Sequence, residues 1–98
     1  MAQNPYETLS AMPRYLLERN VGDVTRDDLD RIAAHSTEIR LARFPQIEWE
    51  HTHVVRSDDG LKAFCLYESP DRETVLAHAA ALGLPVERCL EVETDLAP

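Results

Sequence analysis

Hydrophobic and polar positions along the chain change period several times, from the alternation of strands to the three-and-four spacing of helices. Short apolar segments end at turn-forming residues, and two longer segments carry apolar side chains on one face only. The pattern predicts strands near 12–20, 46–56, 61–68 and 86–93 and helices near 25–43 and 70–83. The predicted order is therefore βαββαβ.

Local signals support both predicted helices. Thr25 stands before an acidic first turn, which is typical of a helix N-cap. Ser69 is the expected cap of the second helix, with Pro70 in its first turn, and Gly83 stands where a C-cap glycine belongs. The turn Ser57–Gly60 contains Asp-Gly, which predicts a hairpin between the second and third strands.

A βαββαβ order predicts a ferredoxin-like α+β fold, with a four-stranded antiparallel sheet and two helices on one face. The other face of the sheet then needs a cover, and a second copy of the chain is the simplest one. We therefore expect a homodimer of the α+β barrel type. The predicted core comprises Leu16, Leu29, Ile32, Ile39, Phe64, Leu66, Val75, Leu76, Ala79 and Val92.

Charge and length exclude several classes of protein. The chain has 10 Lys and Arg residues and 18 Asp and Glu residues, which gives a net charge of −8. A surface this acidic would repel nucleic-acid phosphates. No apolar run is long enough to span a membrane, and no export signal is recognisable, which favours a cytoplasmic location. We expect a leader over 1–11, one domain over 12–93 and a polar tail over 94–98.

The segment His51-Thr52-His53 is the clearest candidate for chemistry. Two histidines spaced i, i+2 on a strand project from the same face and can converge on one metal ion. If Asp59 and Gly60 form the centre of the hairpin, Glu68 lies opposite His51 and is the natural third ligand. A one-residue bulge would replace Glu68 by Tyr67 or Cys65. The alternative is two exposed histidines that pair with neighbouring acids or water.

Three separated segments resemble a widespread bacterial family of small nickel-binding, ferredoxin-like proteins. They are Pro13-Arg14-Tyr15-Leu16-Leu17-Glu18-Arg19, Lys62-Ala63-Phe64-Cys65-Leu66-Tyr67-Glu68-Ser69-Pro70 and Gly83-Leu84-Pro85-Val86-Glu87-Arg88. In that family the middle motif is similar to Trp-x-x-Ser-Tyr, whereas this chain has Trp49-Glu50-His51-Thr52-His53. The departure adds a histidine and removes a tyrosine.

The resemblance implies a dimer that binds a divalent metal ion, nickel foremost, for storage or sequestration rather than catalysis. His78 and Cys65 stand at positions that match the family and join the candidate ligands on that ground. The candidate metal ligands are thus His51, His53, Glu68, His78, Tyr67 and Cys65.

Two other functions remain open from the sequence. One is a cofactor-free enzyme of the dimeric α+β barrel kind, with a pocket lined by Tyr15, Trp49, Phe64 and Tyr67 and with His51 or Glu68 pointing inward. The other is a module that binds a small ligand or a partner without chemistry. Glu18, Arg19 and Glu68 end their strands and could border one cavity. The alternative is an ion pair of Glu18 or Glu68 with Arg14, Arg19 or Arg88.

Overall fold

The computed structural model describes residues 12–98, so the predicted leader lies outside the described residues. Six elements follow one another in the predicted βαββαβ order. They are β1 (Arg14–Gly22), α1 (Arg26–Arg43), β2 (Glu48–Ser57), β3 (Gly60–Glu68), α2 (Arg72–Leu82) and β4 (Arg88–Glu91). Residues 92–98 form no helix or strand.

The four strands form one sheet in the order β2-β3-β1-β4, and every neighbouring pair is antiparallel. Both helices lie on the same face of the sheet. Helix α2 packs with Ala63, Cys65 and Tyr67 of β3 in the core, and the same three side chains line the cleft beneath α1. The sequence-based prediction of a ferredoxin-like α+β fold is confirmed. No helix within 12–98 is long and apolar enough to cross a membrane.

Side-chain caps determine where the helices begin. The Thr25 hydroxyl accepts from the Asp28 backbone N–H at 3.1 Å, and the Asp28 carboxylate accepts from the Thr25 N–H at 2.9 Å, which forms a capping box. The prediction of Ser69 as the cap of α2 is wrong. Asp71 caps α2 by accepting from the Thr74 N–H at 2.7 Å, because the Ser69 hydroxyl instead donates to the Asp71 carbonyl.

The hairpin between β2 and β3 has a different register from the predicted one. Ser57 pairs with Gly60, so Asp58 and Asp59 form the centre of the turn, and the positive φ of 110° falls on Gly60 after them. A turn centred on Asp59 and Gly60 would require a positive φ at Asp59, which an aspartate adopts only at a cost. The register therefore moves by two residues, which leaves the side chains from His51 to Arg56 on their predicted faces.

A bulge at Glu50 changes the start of β2. Trp49 pairs with Tyr67 and His51 pairs with Leu66, which leaves Glu50 without a partner in the ladder. Trp49 therefore lies on the helix side with Thr52, to which its Nε1–H donates at 2.9 Å. Strict alternation along 46–56 predicts Trp49 on the face of the two histidines, and this prediction is wrong because of the bulge.

The core lies between α2 and the helix side of β1 and β3. Of the predicted core residues, Val75 and Ala79 are buried as expected. The other eight are only half-buried: Leu16, Leu29, Ile32, Ile39, Phe64, Leu66, Leu76 and Val92. The buried hydrophobic residues that the prediction missed are Tyr15, Leu17, Ile47, Leu61, Ala63, Cys65 and Tyr67. Both faces of β1 and β3 carry apolar side chains, so alternation alone did not indicate which face the helices cover.

Helix α1 packs more loosely than α2. None of its residues is fully buried, although α1 has 18 residues and α2, with 11, buries three. The apolar side of α1 therefore faces a cleft rather than a close-packed layer.

Candidate functional site

The sheet face away from the helices is called here the open face. Its central row runs across all four strands as His51, Leu66, Leu16 and Leu90. The next row begins with His53 and Phe64 and continues with Glu18 and Arg88. The open face thus combines an apolar centre with two imidazoles on its β2 edge.

His51 and His53 lie on the open face as their spacing predicts. Both side chains are exposed, and their ring centroids are 4.8 Å apart with the planes at 71°. A metal–imidazole bond is about 2 Å long. Two imidazole rings that occupy neighbouring coordination positions of one ion therefore have centroids about 4.5–5 Å apart. The pair therefore has a separation suited to one shared ion.

Glu68 does not lie opposite His51. It pairs with Glu48 on β2 and with Arg14 on β1, and the hairpin register that was to place it beside His51 is wrong. The neighbouring carboxylate of Glu50 is bound to Arg14 through two contacts of 2.6 and 2.9 Å. Within residues 12–98 no three His, Cys, Asp or Glu side chains cluster as a metal site. One copy of the described chain therefore offers two ligands.

Tyr67 and Cys65 lie on the opposite side of the sheet from the histidine pair. Both are buried in the core, where Cys65 is a free thiol. Burial raises the pKa of the Tyr67 hydroxyl, and the positive charges of Arg19 and Arg40 partly offset this rise. The structure does not bring these two residues together with His51 and His53.

His78 is fully buried on α2 and faces the sheet. Its ring packs edge-on against Tyr67 and Phe44, each with centroids 5.6 Å away. Its Nε2 lies 3.3 Å from the Ser36 carbonyl, which can only accept, so we assign the proton of the neutral ring to Nε2. Nδ1 then has no hydrogen-bond partner among the described residues. His78 belongs to the core, apart from the histidine pair on β2.

The buried state of His78 predicts a pH-dependent stability. Burial lowers the pKa of its imidazole below the ordinary 6.5, and the hydrogen bond to the Ser36 carbonyl partly opposes this shift. The positive charges of Arg19 and Arg40 lower the pKa further. Below about pH 6.5 the unfolded chain binds a proton that the folded core resists, so stability is full above this pH and is lost as the pH falls. We expect the free energy of unfolding to decline between pH 7 and pH 5, and His78→Gln to make this decline smaller.

Urea unfolding followed by circular dichroism at pH 7, 6 and 5 measures this effect. His35→Gln, on the exposed side of α1, is the matched control and should keep the full decline. Glu18 titrates outside this window, because its ion pair with Arg88 lowers its pKa below the ordinary 4.5. Equal slopes for both variants would contradict the assignment of the decline to His78.

Glu18 and Arg19 lie on opposite faces of β1 and do not border one cavity. Glu18 accepts from Arg88 at 2.6 Å on the open face, and the Lys62 ammonium lies 3.4 Å from its other oxygen. The ion pair predicted as the alternative to a shared cavity is therefore present. Arg19 points to the helix side and is buried beneath α1.

A cleft of about 440 Å³ lies between α1 and the helix side of the sheet. Trp49 and Tyr67 line it, as expected for the enzyme-type pocket. Phe64, His51 and Glu68 belong to the open face instead, so the predicted pocket with an inward-pointing His51 or Glu68 is wrong.

A family model described as "Nickel responsive protein SCO4226-like" matches residues 15–92, which is most of the chain. The chain belongs to the SCO4226-like family. A crystal structure of SCO4226 from Streptomyces coelicolor A3(2) is similar in fold, with a TM-score of 0.71. The two sequences are 17% identical, and the similarity covers 85% of this chain and 99% of that one. At this identity the likeness supports the fold alone.

None of the curated proteins is significantly similar to this chain in sequence. The description of the family model names nickel, and the candidate ligands come from the geometry of this chain's own residues.

Proposed function

We propose that the protein binds a divalent metal ion, nickel foremost, between two copies of the chain, with His51 and His53 as the ligands of each copy. The observation that carries the proposal is the exposed pair of imidazoles with centroids 4.8 Å apart on the open face. Neutral imidazole is a good ligand for nickel, zinc and copper, and the family description favours nickel among them.

A second copy supplies what one chain lacks. Metal sites in proteins usually need at least three protein ligands, and one copy offers two on this face. If two copies related by a two-fold axis packed their open faces together, the second copy would place additional imidazoles or carboxylates near each histidine pair. The ion would then connect the copies.

The open face has the composition of an interface. Leu16, Leu66 and Leu90 form its apolar centre, and Leu90 is 45% exposed in the single chain. Ion pairs flank this centre on both sides, through Glu18–Arg88 and Arg14–Glu50. An apolar centre with a polar rim is typical of protein–protein interfaces.

Charge adds a reason for the cation. Each chain carries a net charge of −8, so two copies repel one another. A divalent cation at the interface reduces that repulsion and adds coordinate bonds, so metal should strengthen the dimer by mass action. In this role the protein would store or sequester nickel ions.

Calorimetric titration of nickel chloride into the metal-free full chain at pH 7.5 tests the proposal. We expect saturable binding with a dissociation constant in the micromolar range or below. His51→Ala and His53→Ala should each weaken binding at least about tenfold, because each removes one ligand from a small set. Elemental analysis of protein purified without a tag or added metal would identify the bound ion.

His35→Ala is the matched control, since it removes an exposed histidine of α1 from the other side of the molecule. This variant should bind nickel as the unmodified protein does. Equal uptake by all three variants would remove His51 and His53 as ligands.

A further inference from the structure

The cleft between α1 and the sheet contains a buried charge that the metal proposal does not use. Arg19 is 2% exposed and lines this cleft. Its Nε, Nη1 and Nη2 have no hydrogen-bond partner among residues 12–98. A guanidinium stays protonated at every physiological pH, so the positive charge persists in the core.

The described chain does not supply a counterion for Arg19. The carboxylate of Asp30 at the cleft pairs with Arg26 at 3.0 Å, and Glu18 points to the opposite face of the sheet. A buried unpaired charge is strongly destabilising, so an anion that pairs with it recovers a large part of that cost. The arrangement therefore favours an anionic ligand.

Most of the remaining lining of the cleft is apolar, and its other polar members are Arg26, Asp30, Ser36 and Thr52. Its apolar lining includes Leu29 and Ile32 of α1, Val54 of β2 and Leu84 after α2. Trp49 lies among them and is 38% exposed, which places the indole where the cleft meets solvent. A volume of about 440 Å³ is within the range of small-molecule sites in proteins.

We propose that this cleft binds a small monocarboxylic acid with an apolar body, whose carboxylate pairs with Arg19. A planar carboxylate matches the two-pronged donor geometry of guanidinium. Arg26 at the cleft is already paired with Asp30, so Arg19 alone is free to neutralise one negative charge. A phosphate dianion would leave its second charge unpaired in a mostly apolar lining. The apolar lining accommodates the hydrocarbon part of the acid.

This site is independent of the proposed metal site. The cleft lies on the helix side of the sheet, and the histidine pair lies on the open face. Loss of one binding activity should leave the other unchanged, and nickel titration of an Arg19→Met variant checks this separation.

Binding of octanoate to the full chain at pH 7.5 tests the proposal, with 1-octanol as the neutral analogue of equal tail. Trp49 is the only tryptophan of the chain, so its fluorescence reports directly on occupancy of the cleft. We expect saturable octanoate binding at least about tenfold tighter than octanol binding, because only octanoate gains a charge-assisted pair. Equal affinities would overturn the proposal.

Arg19→Met removes the charge and keeps a side chain of similar length. In this variant octanoate should lose its advantage over octanol, while octanol still binds and shows that the cleft is intact. The urea midpoint of the ligand-free variant should rise, because an unpaired buried charge has been removed. Octanoate should raise the midpoint of the unmodified protein and leave that of Arg19→Met unchanged.

Arg31→Met is the matched control, since Arg31 lies on the exposed side of α1 and pairs with Asp28. It should keep octanoate binding and the original midpoint. A lowered midpoint for Arg19→Met, or octanoate binding equal to that of the unmodified protein, would overturn the proposal.

Glu7 is the only acidic residue among residues 1–11, which lie outside the described residues. Glu7→Gln in the full chain should leave octanoate binding unchanged. Tighter binding by this variant would assign the anion of Arg19 to the chain itself and would overturn the proposal.

Discussion

We expect Leu66→Lys to leave the chain folded but to abolish its self-association. Leu66 lies at the centre of the open face, between Leu16 and His51, and points away from the core. A lysine there can extend its ammonium into water in a single chain, but it would be buried without a partner in a face-to-face dimer. Light scattering should give about twice the 11.1 kDa chain mass for the unmodified protein and one chain mass for the variant.

The same substitution should weaken nickel binding, because the proposed site needs ligands from two copies. Leu41→Lys is the matched control, since Leu41 on α1 is 63% exposed and lies on the helix side. The control should remain dimeric and bind nickel normally. A mass of one chain for the unmodified protein at micromolar concentration, with and without nickel, would refute the dimer and the shared site together.

We expect Leu17→Ala to produce a large loss of stability. Leu17 is fully buried on β1, between Cys65 of β3 and Cys89 of β4. Removing three carbons from a close-packed site leaves a cavity, and such substitutions cost about 2–5 kcal/mol. For a domain of this size, that loss is a substantial part of the total stability.

Leu76→Ala is the matched comparison for Leu17→Ala. Sequence periodicity placed Leu76 in the core, but it is only half-buried on α2. Its truncation should therefore cost clearly less than that of Leu17 in the same urea titration. Equal losses would mean that the burial difference between the two leucines does not persist in solution.

Local chemistry in the sequence was sufficient to predict the order of elements and several of their ends. Thr25 caps α1 and Gly83 ends α2 as expected, because capping depends on residues only three or four positions apart. The βαββαβ order in turn restricts the topology strongly, since crossover connections have one hand. The spacing of His51 and His53 likewise was sufficient to place both rings on one face.

Tertiary structure alone decided which face of the sheet forms the core. Leu16 and Leu17 are equally apolar neighbours on β1, so only the packing of the helices determines which one is buried. The hairpin register depended on where the backbone tolerates a positive φ. Gly60 has the positive φ, and it follows the two central residues of the turn instead of being one of them. That difference separated Glu68 from His51.

The Arg19 cleft also depended on tertiary structure. Sequence alternation places Glu18 and Arg19 on opposite faces, but it does not indicate which of the two lies under α1. Glu18 forms an ion pair with Arg88 on the open face. Arg19 is buried on the helix side, where it lines the cleft beneath α1. The sequence by itself thus determined the elements, their order and the shared face of the histidine pair. Tertiary packing decided burial, register and the unpaired charge, because these depend on contacts between residues far apart in the chain.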